Sequence, residues 1–414
     1  MKRPVTWCDV GERVKGADSP RSSVPGWEPI SIRSIDISEI GTPNELVLGN
    51  RREWLEIKDA TSILGIVDSS DPHVHNRLAD LSERFYATEP LRIDDGSLLS
   101  VTVVVPTLAR DISSLRATIA SLAAMDHPDV EIVVVDNRRG NHHDDLSLGD
   151  IHGLRVEREM NPGISAARNR GISVARGDIV LFTDDDAVVD KSWARRMSER
   201  FVADSDVVGV GGLILPLVID TPAQLWFEEF YGGFSRSFRS DTFAMSDLRP
   251  ESPLFPFQPG RYGAGCNMGF RRRVLEDVGC FNTSLGTGTP ARGGEDLDMF
   301  MRLILGGKKL AFEPRALVRH RHRESWRAFR RQVFGYGVGL SAAFTAMAIQ
   351  HPSALVKIFR RIPAGLAELT RPRTLRSPST RPSYPRLTLA WQVLGLLWGP
   401  MAFAWSVAWR RRFD

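Results

Sequence analysis

Cysteine and tyrosine are scarce in these 414 residues, at 3 and 5 copies. Cys8, Cys266 and Cys280 are odd in number, form no CxxC pair and have no metal-ligand spacing, so neither a disulfide framework nor a cysteine metal motif organises the chain. They read as free thiols of a reducing compartment. The opening MKRPVTWCDV lacks the apolar core of a signal peptide, so export is not expected. Nor is there a strong excess of one charge: 54 basic against 50 acidic residues leave a net charge of +4. No nucleic-acid partner is expected. The excess is uneven, however, with much of it in Arg315 to Arg331 and the C-terminal part, which suits an anionic surface.

What the chain does have is GDIVLFTDDD at 177–186, an apolar run ending in three carboxylates. Ile179 to Phe182 have the bias of a short buried strand, so the acids fall at its carboxyl end, where open α/β sheets bind ligands. Three adjacent acids repel one another unless water or a cation neutralises them. An acidic helix cap is the plainer explanation of the same stretch.

The pattern around it is α/β. Val101 to Val105 and Glu131 to Val135 read as buried strands, the first stopped by Pro106. Ser113 to Met125 and Ile164 to Ala175 read as helices, and Lys191 to Val202, Val207 to Leu215 and Glu295 to Leu305 continue the alternation. This predicts a mostly parallel sheet flanked by helices, with right-handed crossovers and the site at the carboxyl strand ends. Three regions are expected: an accessory region over 1–97, partly loop, with short apolar runs at Leu46 to Leu48 and Ile63 to Val67 and a helical pattern at Val74 to Phe85; an α/β domain over 98–331; and a helical extension over 332–414.

Taken in order, VTVVVPTLAR, EIVVVDN, NPGISAARNRGI, DIVLFTDDD, GAGCNMGFRR, GGEDLDMFMRL and VRHRHR resemble the family 2 glycosyltransferases, inverting enzymes of the GT-A fold. The resemblance implies transfer of a sugar from a nucleotide-diphosphate sugar to a hydroxyl acceptor, glycan or lipid-linked, with Mg2+ or Mn2+. Such hard cations take oxygen ligands and leave positions for phosphate and water. By resemblance, Asp186 and Asp184 are the metal-side acids, with Asp185 between them and His320 approaching the metal or pyrophosphate, His322 close behind. Pro106, Thr107 and Asp136 would meet the base; Val135 stands where the family often has a second acid. Gly163 turns the chain into a helix whose Arg168 offers a planar fork to phosphate. Gly265 would line the sugar. Asp296 is the implied base that takes the acceptor proton, and Glu295 helps position the acceptor. Helix capping explains the same two acids and is compatible with catalysis.

Other features carry less. Trp226 and Phe227 could stack on an acceptor sugar or pack in a core. The cluster His142, His143, Asp144, Asp145 reads as a solvated loop. No QxxRW element follows Arg331, so single addition is expected rather than polymer synthesis. Near the C-terminus, Leu387 to Trp409 holds 23 residues without charge, four of them tryptophans, followed by Arg410 to Arg412. Length permits a membrane span, but Gly399-Pro400 should break the helix into halves lying in the interface. Peripheral attachment to the cytoplasmic face of the plasma membrane, serving a cell-envelope glycan, is the expectation. The alternatives are a nucleotidyltransferase of related fold, for which PTLARD is a poor phosphate loop, and a membrane-anchored scaffold with a degenerate sugar-nucleotide site.

Overall fold

The computed structural model describes residues 27–39, 48, 51–85, 93–140, 146–234, 237–246, 254–258, 260–352, 356, 358, 360–361, 363–364 and 386–413. Cys8 and the 142–145 cluster lie outside them.

The N-terminal region is more regular than its sequence suggests. Strands β1 (Ser31–Asp36), β2 (Glu53–Lys58) and β3 (Ile63–Asp68) form a small sheet, β1 parallel and β3 antiparallel to β2. Helix α1 (Val74–Phe85) packs on it through Val74, Leu78 and Leu81. The sequence EWLEIK hides β2 because Glu56 breaks its apolar run, yet Glu56 is buried. Arg319 explains this, donating from Nη1 and Nη2 to the two carboxylate oxygens at 2.7 and 2.5 Å. The region is thus bolted to the larger sheet beside His320.

In the larger sheet, β4 (Val101–Thr107), β5 (Val130–Asp136), β6 (Leu154–Arg158) and β7 (Ile179–Phe182) are parallel in the order β7-β4-β5-β6. Crossover helices α2 (Ile112–Ala123) and α3 (Ile164–Val174) link them. Pro106 does not end β4. It lies past Val104, the last residue paired with β7, so its missing N–H costs no bond on that side. Beyond β7 the sheet becomes mixed. β8 (Ala187–Val189) follows the acids, helix α4 (Trp193–Ala203) leads to β9 (Val207–Pro216), and short helix α5 (Pro222–Trp226) precedes β10 (Asp241–Phe243). β11 (Met268–Arg271) runs antiparallel between β7 and β9. After α6 (Arg272–Asp277) and α7 (Glu295–Leu305), β12 (Lys309–His320) pairs parallel with β9 and antiparallel with β8 and β10. The expected mostly parallel sheet is thus mixed, with antiparallel pairs at β8, β10 and β11.

Two long helices complete the chain: α8 (Trp326–Gln350) and α9 (Arg386–Arg410). By length and composition α8 could cross a membrane, yet Val333, Ala342, Ala346 and Met347 are buried against protein. α9 runs unbroken through Pro400, contrary to the expected break. Its partner accounts for this: Gly399 sits so close to α8 that a Cβ there would lie 1.8 Å from Ser341 Oγ, and this packing supports a continuous helix across the proline.

Candidate active site

The three acids leave β7 at the carboxyl rim and each meets a different partner. Asp186 Oδ1 is 3.1 Å from His320 Nε2, and Asp184 Oδ2 is 3.7 Å from the same nitrogen. Antiparallel pairing of β12 with β8 sets His320 opposite Ala187, which brings residues 134 positions apart in sequence into contact. Burial alone would raise the Asp186 pKa, but the His320 charge and Arg323 outweigh it and hold the group at about 2. Burial likewise opposes protonation of His320, yet the two carboxylates lift it to about 10. Asp185 points the other way and accepts from Thr107 Oγ1 at 2.6 Å. Burial, with its acidic neighbours, pushes it up to about 6.

These residues fit a divalent cation. Asp184 Oδ1 is buried without a hydrogen bond, its nearest cation being Arg168 Nη2 at 3.6 Å. One donor atom each from Asp184, His320 and Cys266 lies within 4.8 Å of the others. Cys266 is the residue the sequence concealed, because a site assembled from three separate strands or loops leaves no ligand spacing. Burial and the surrounding carboxylates keep its thiol pKa well above the ordinary value. The carboxylates suit Mg2+ or Mn2+, which prefer oxygen ligands, and His320 would add a nitrogen donor only in its neutral form.

Arg168 sits elsewhere than a free phosphate fork would. It is fully buried, with Nη1 on Glu295 Oε1 at 2.8 Å and Nη2 on the Gly265 carbonyl at 3.0 Å. A Cβ on Gly265 would lie 2.6 Å from that guanidinium, so any larger residue here would displace the Arg168 fork. The same Gly265 donates its N–H to Asp296 Oδ2 at 2.9 Å. A chain of contacts therefore runs from Asp184 through Arg168 and Gly265 to Asp296. Glu295 is buried as the Arg168 partner and does not reach out towards an acceptor; burial and Asp296 raise its pKa to about 7. Asp296, partly exposed, is the one of the pair that a substrate can reach.

At the end of β5, Asp136 is clamped by Arg138 at 2.9 Å and Arg158 at 2.6 Å, and its pKa stays low although burial works against that. Its carboxylate is therefore shared with two arginines. Asn137 Oδ1 accepts from Gly163 N at 3.0 Å, and Gly163 takes φ +118° to turn into α3. Pro106 is buried at the end of β4 and Thr107 is spent on Asp185.

The aromatic pair is core. Trp226 and Phe227 are buried among Phe329, Val333 and Tyr231. Next to them, His322 Nε2 meets Glu228 Oε1 at 2.5 Å, so His322 faces Glu228 and not the acids. Asn267 donates to the carbonyls of Leu213 and Ala316, each at 2.8 Å, and accepts from Trp193 Nε1, fixing the gap where β12 bulges away from β9. No local sequence signal marks an asparagine bridging two strands.

The model of the family "Glycosyl transferase family 2" matches residues 102–279. A glucosyl-dolichyl phosphate glucuronosyltransferase of Haloferax volcanii is 26% identical over 249 residues, covering 58% of this chain and 76% of that protein. A pre-mycofactocin glycosyltransferase of Mycobacterium tuberculosis is 27% identical over 257 residues, 61% of this chain but only 48% of that one, so the chain spans about half its length. Among solved structures, a mannosyltransferase of Pyrobaculum calidifontis in complex with GDP-Man and Mn2+ aligns with a TM-score of 0.44 at 17% identity, over 80% of this chain and 81% of that one.

Proposed function

Residues 102–279 make this chain a glycosyltransferase of family 2, and we propose that it moves a sugar from a nucleotide diphosphate to an acceptor hydroxyl with inversion. The observation that carries the reading is the continuous link from the acids to Asp296 through Arg168 and Gly265. Donor and acceptor halves of a displacement need a fixed relation, and this link supplies one.

Asp184, Asp186 and His320 are the residues that would hold a Mg2+ or Mn2+ ion, with the Cys266 thiol alongside. When bound, such a cation offsets the charge that grows on the pyrophosphate as the sugar departs. Asp296 accepts the proton of the attacking hydroxyl at its carboxylate. Gly265 N–H holds that carboxylate in place, and Arg168 is held in turn by Glu295. Asp185 stays fixed by Thr107, and Pro106, Gly163 and the Asp136 cluster shape the rim that receives the nucleotide.

The acceptor in this reading is a glycan or lipid-linked hydroxyl at the cytoplasmic face of a membrane. Support comes from the apolar α9 and from the dolichyl-phosphate substrate named for the Haloferax relative. The test is turnover of a panel of nucleotide sugars with and without Mg2+ or Mn2+. Cation-dependent release of the nucleotide diphosphate from one of them is expected. No turnover of any donor with either metal would overturn the proposal.

A further inference from the structure

Helix α9 is inside out for a protein in water. The face it turns to the protein carries Thr388, Gln392, Gly395, Gly399, Ala402, Phe403 and Ser406, mostly small or polar and all buried. The opposite face carries Trp391, Leu394, Leu397, Trp398, Met401 and Trp405, all exposed, with Leu397 at 71% and Met401 at 61%. A helix packed on a soluble domain buries its large apolar side chains and shows polar ones, the reverse of this arrangement. We propose that this outward face lies in the interface of an anionic bilayer, with α9 parallel to the membrane plane. The proposal deepens the membrane-linked acceptor reading above and rests on it only for the acceptor.

Orientation follows from where α9 is held. At 25 residues it is about 37 Å long, enough to span. A span would have to leave the catalytic domain, and α9 does not. Trp391 packs on Phe334 of α8 near one end, Phe403 joins Leu285, Leu297 and Met301 in the middle, and Trp409 meets the Arg139 guanidinium at the other. Backbone contact fixes the helix to α8: a Cβ on Gly395 would lie 2.3 Å from the Phe334 carbonyl, and one on Gly337 as close to that of Gln392. One side of α9 is thus protein along its length, and only the other is free for lipid.

The occupant is lipid rather than another protein by charge as well as pattern. The stripe is bracketed by Arg386 and by Arg410 to Arg412, and residues 357–385 contain one acidic residue, Glu368, among many arginines. An uncharged, tryptophan-rich face edged by arginines matches headgroups above and acyl chains below. Phe403, on the protein side of α9, shares a core cluster with Leu297 in the first turn of α7, so α9 covers the side of the domain where Asp296 stands, and its outward face brings the membrane surface to that side.

The experiment uses the full chain and vesicles of phosphatidylcholine with phosphatidylglycerol. Wild type should float with the vesicles, and Leu394→Glu/Leu397→Glu/Met401→Glu should lower partitioning by roughly 100-fold or more. Metal-dependent donor hydrolysis in the absence of vesicles should be unchanged in that variant, showing that the fold is intact. Lipids brominated near the headgroup should quench Trp391, Trp398 and Trp405 alike, each assigned by its Trp→Phe variant. Deep quenching confined to Trp398 would indicate a span and overturn the in-plane proposal, as would flotation of the triple variant or failure of wild type to float. A wild type that floats but turns over no donor would refute the transfer reading while leaving the docking surface standing.

Discussion

Arg168 Nη1 donates to Glu295 Oε1 at 2.8 Å with both side chains buried, so α3 and the first turn of α7 share one ion pair. Burial raises the Glu295 pKa from 4.5 to about 7, with Asp296 adding to the rise and Arg168 opposing it. A raised carboxyl pKa means that the folded state binds the proton more tightly than the unfolded one. Its contribution to stability is complete below pH 4.5 and is lost as pH rises through about 7. Glu295→Gln removes that slope. The difference in thermal midpoint between variant and wild type should shift in favour of the variant from pH 5 to 7 and then level off. Parallel curves across that range would contradict the buried, protonatable Glu295.

The base is tested separately. Asp296→Asn keeps an oxygen that can accept the Gly265 N–H but removes proton acceptance. Turnover should fall by roughly 100-fold or more, the usual scale for a positioned base, with donor affinity nearly intact. Wild-type turnover in the variant would remove Asp296 from the role.

For the cation, Asp186→Ala and chelation should each abolish tight donor binding, because without the ion nothing offsets the repulsion between the acids and the pyrophosphate. Calorimetry in excess chelator is the measurement. Unchanged donor affinity there would place the acids outside donor binding.

Much of this site is legible in sequence where chemistry and local pattern coincide. The strand Ile179–Phe182 announces the acids, and Glu295–Leu305 begins at the residue where its glycine loop ends. Long-range partners are not legible. Nothing near Glu56 forecasts that a glutamate in a strand will be buried, because the cause, Arg319, lies 263 residues away. Cys266 and Asn267 escape for the same reason, and Arg168 looks like a phosphate ligand until Glu295 and Gly265 are seen to occupy it. The antiparallel β11 also eludes a reading that infers parallel strands from alternation with helices. For α9, Pro400 suggests a break that the structure does not contain, because its compensation lies on α8.

The Glu56–Arg319 pair gives the N-terminal region a measurable role. Glu56→Gln leaves Arg319 charged in a buried setting and should cost about 3–5 kcal/mol in urea unfolding. The more exposed Arg33–Glu53 pair, at 3.3 Å, is the control, and removing Glu53 should cost about 0–1 kcal/mol. Equal losses for the two would mean that burial does not distinguish them and that the accessory sheet is only loosely tied to β12.

Gly339 and Gly335 lie one turn apart on α8 and should respond oppositely to alanine. A Cβ on Gly335 meets nothing nearer than Arg292 Cβ at 3.9 Å, an ordinary contact. Gly335→Ala should therefore stabilise, by up to about 1 kcal/mol from helix propensity. A Cβ on Gly339 would lie 2.7 Å from the Gly293 carbonyl carbon and 2.9 Å from Gly294 N, and these backbone atoms lead directly into Glu295 and Asp296. They can yield only by moving the start of α7, an overpacking cost of about 1–3 kcal/mol. Since Asp184, Asp185 and Asp186 stand just after β7, outside this contact, Gly339→Ala should lower turnover while leaving donor affinity close to wild type. Calorimetry of donor binding beside steady-state turnover separates the two effects. A variant with normal turnover would show that α8 does not set the position of Asp296, and one with lost donor binding would show that the strain spreads to the acids.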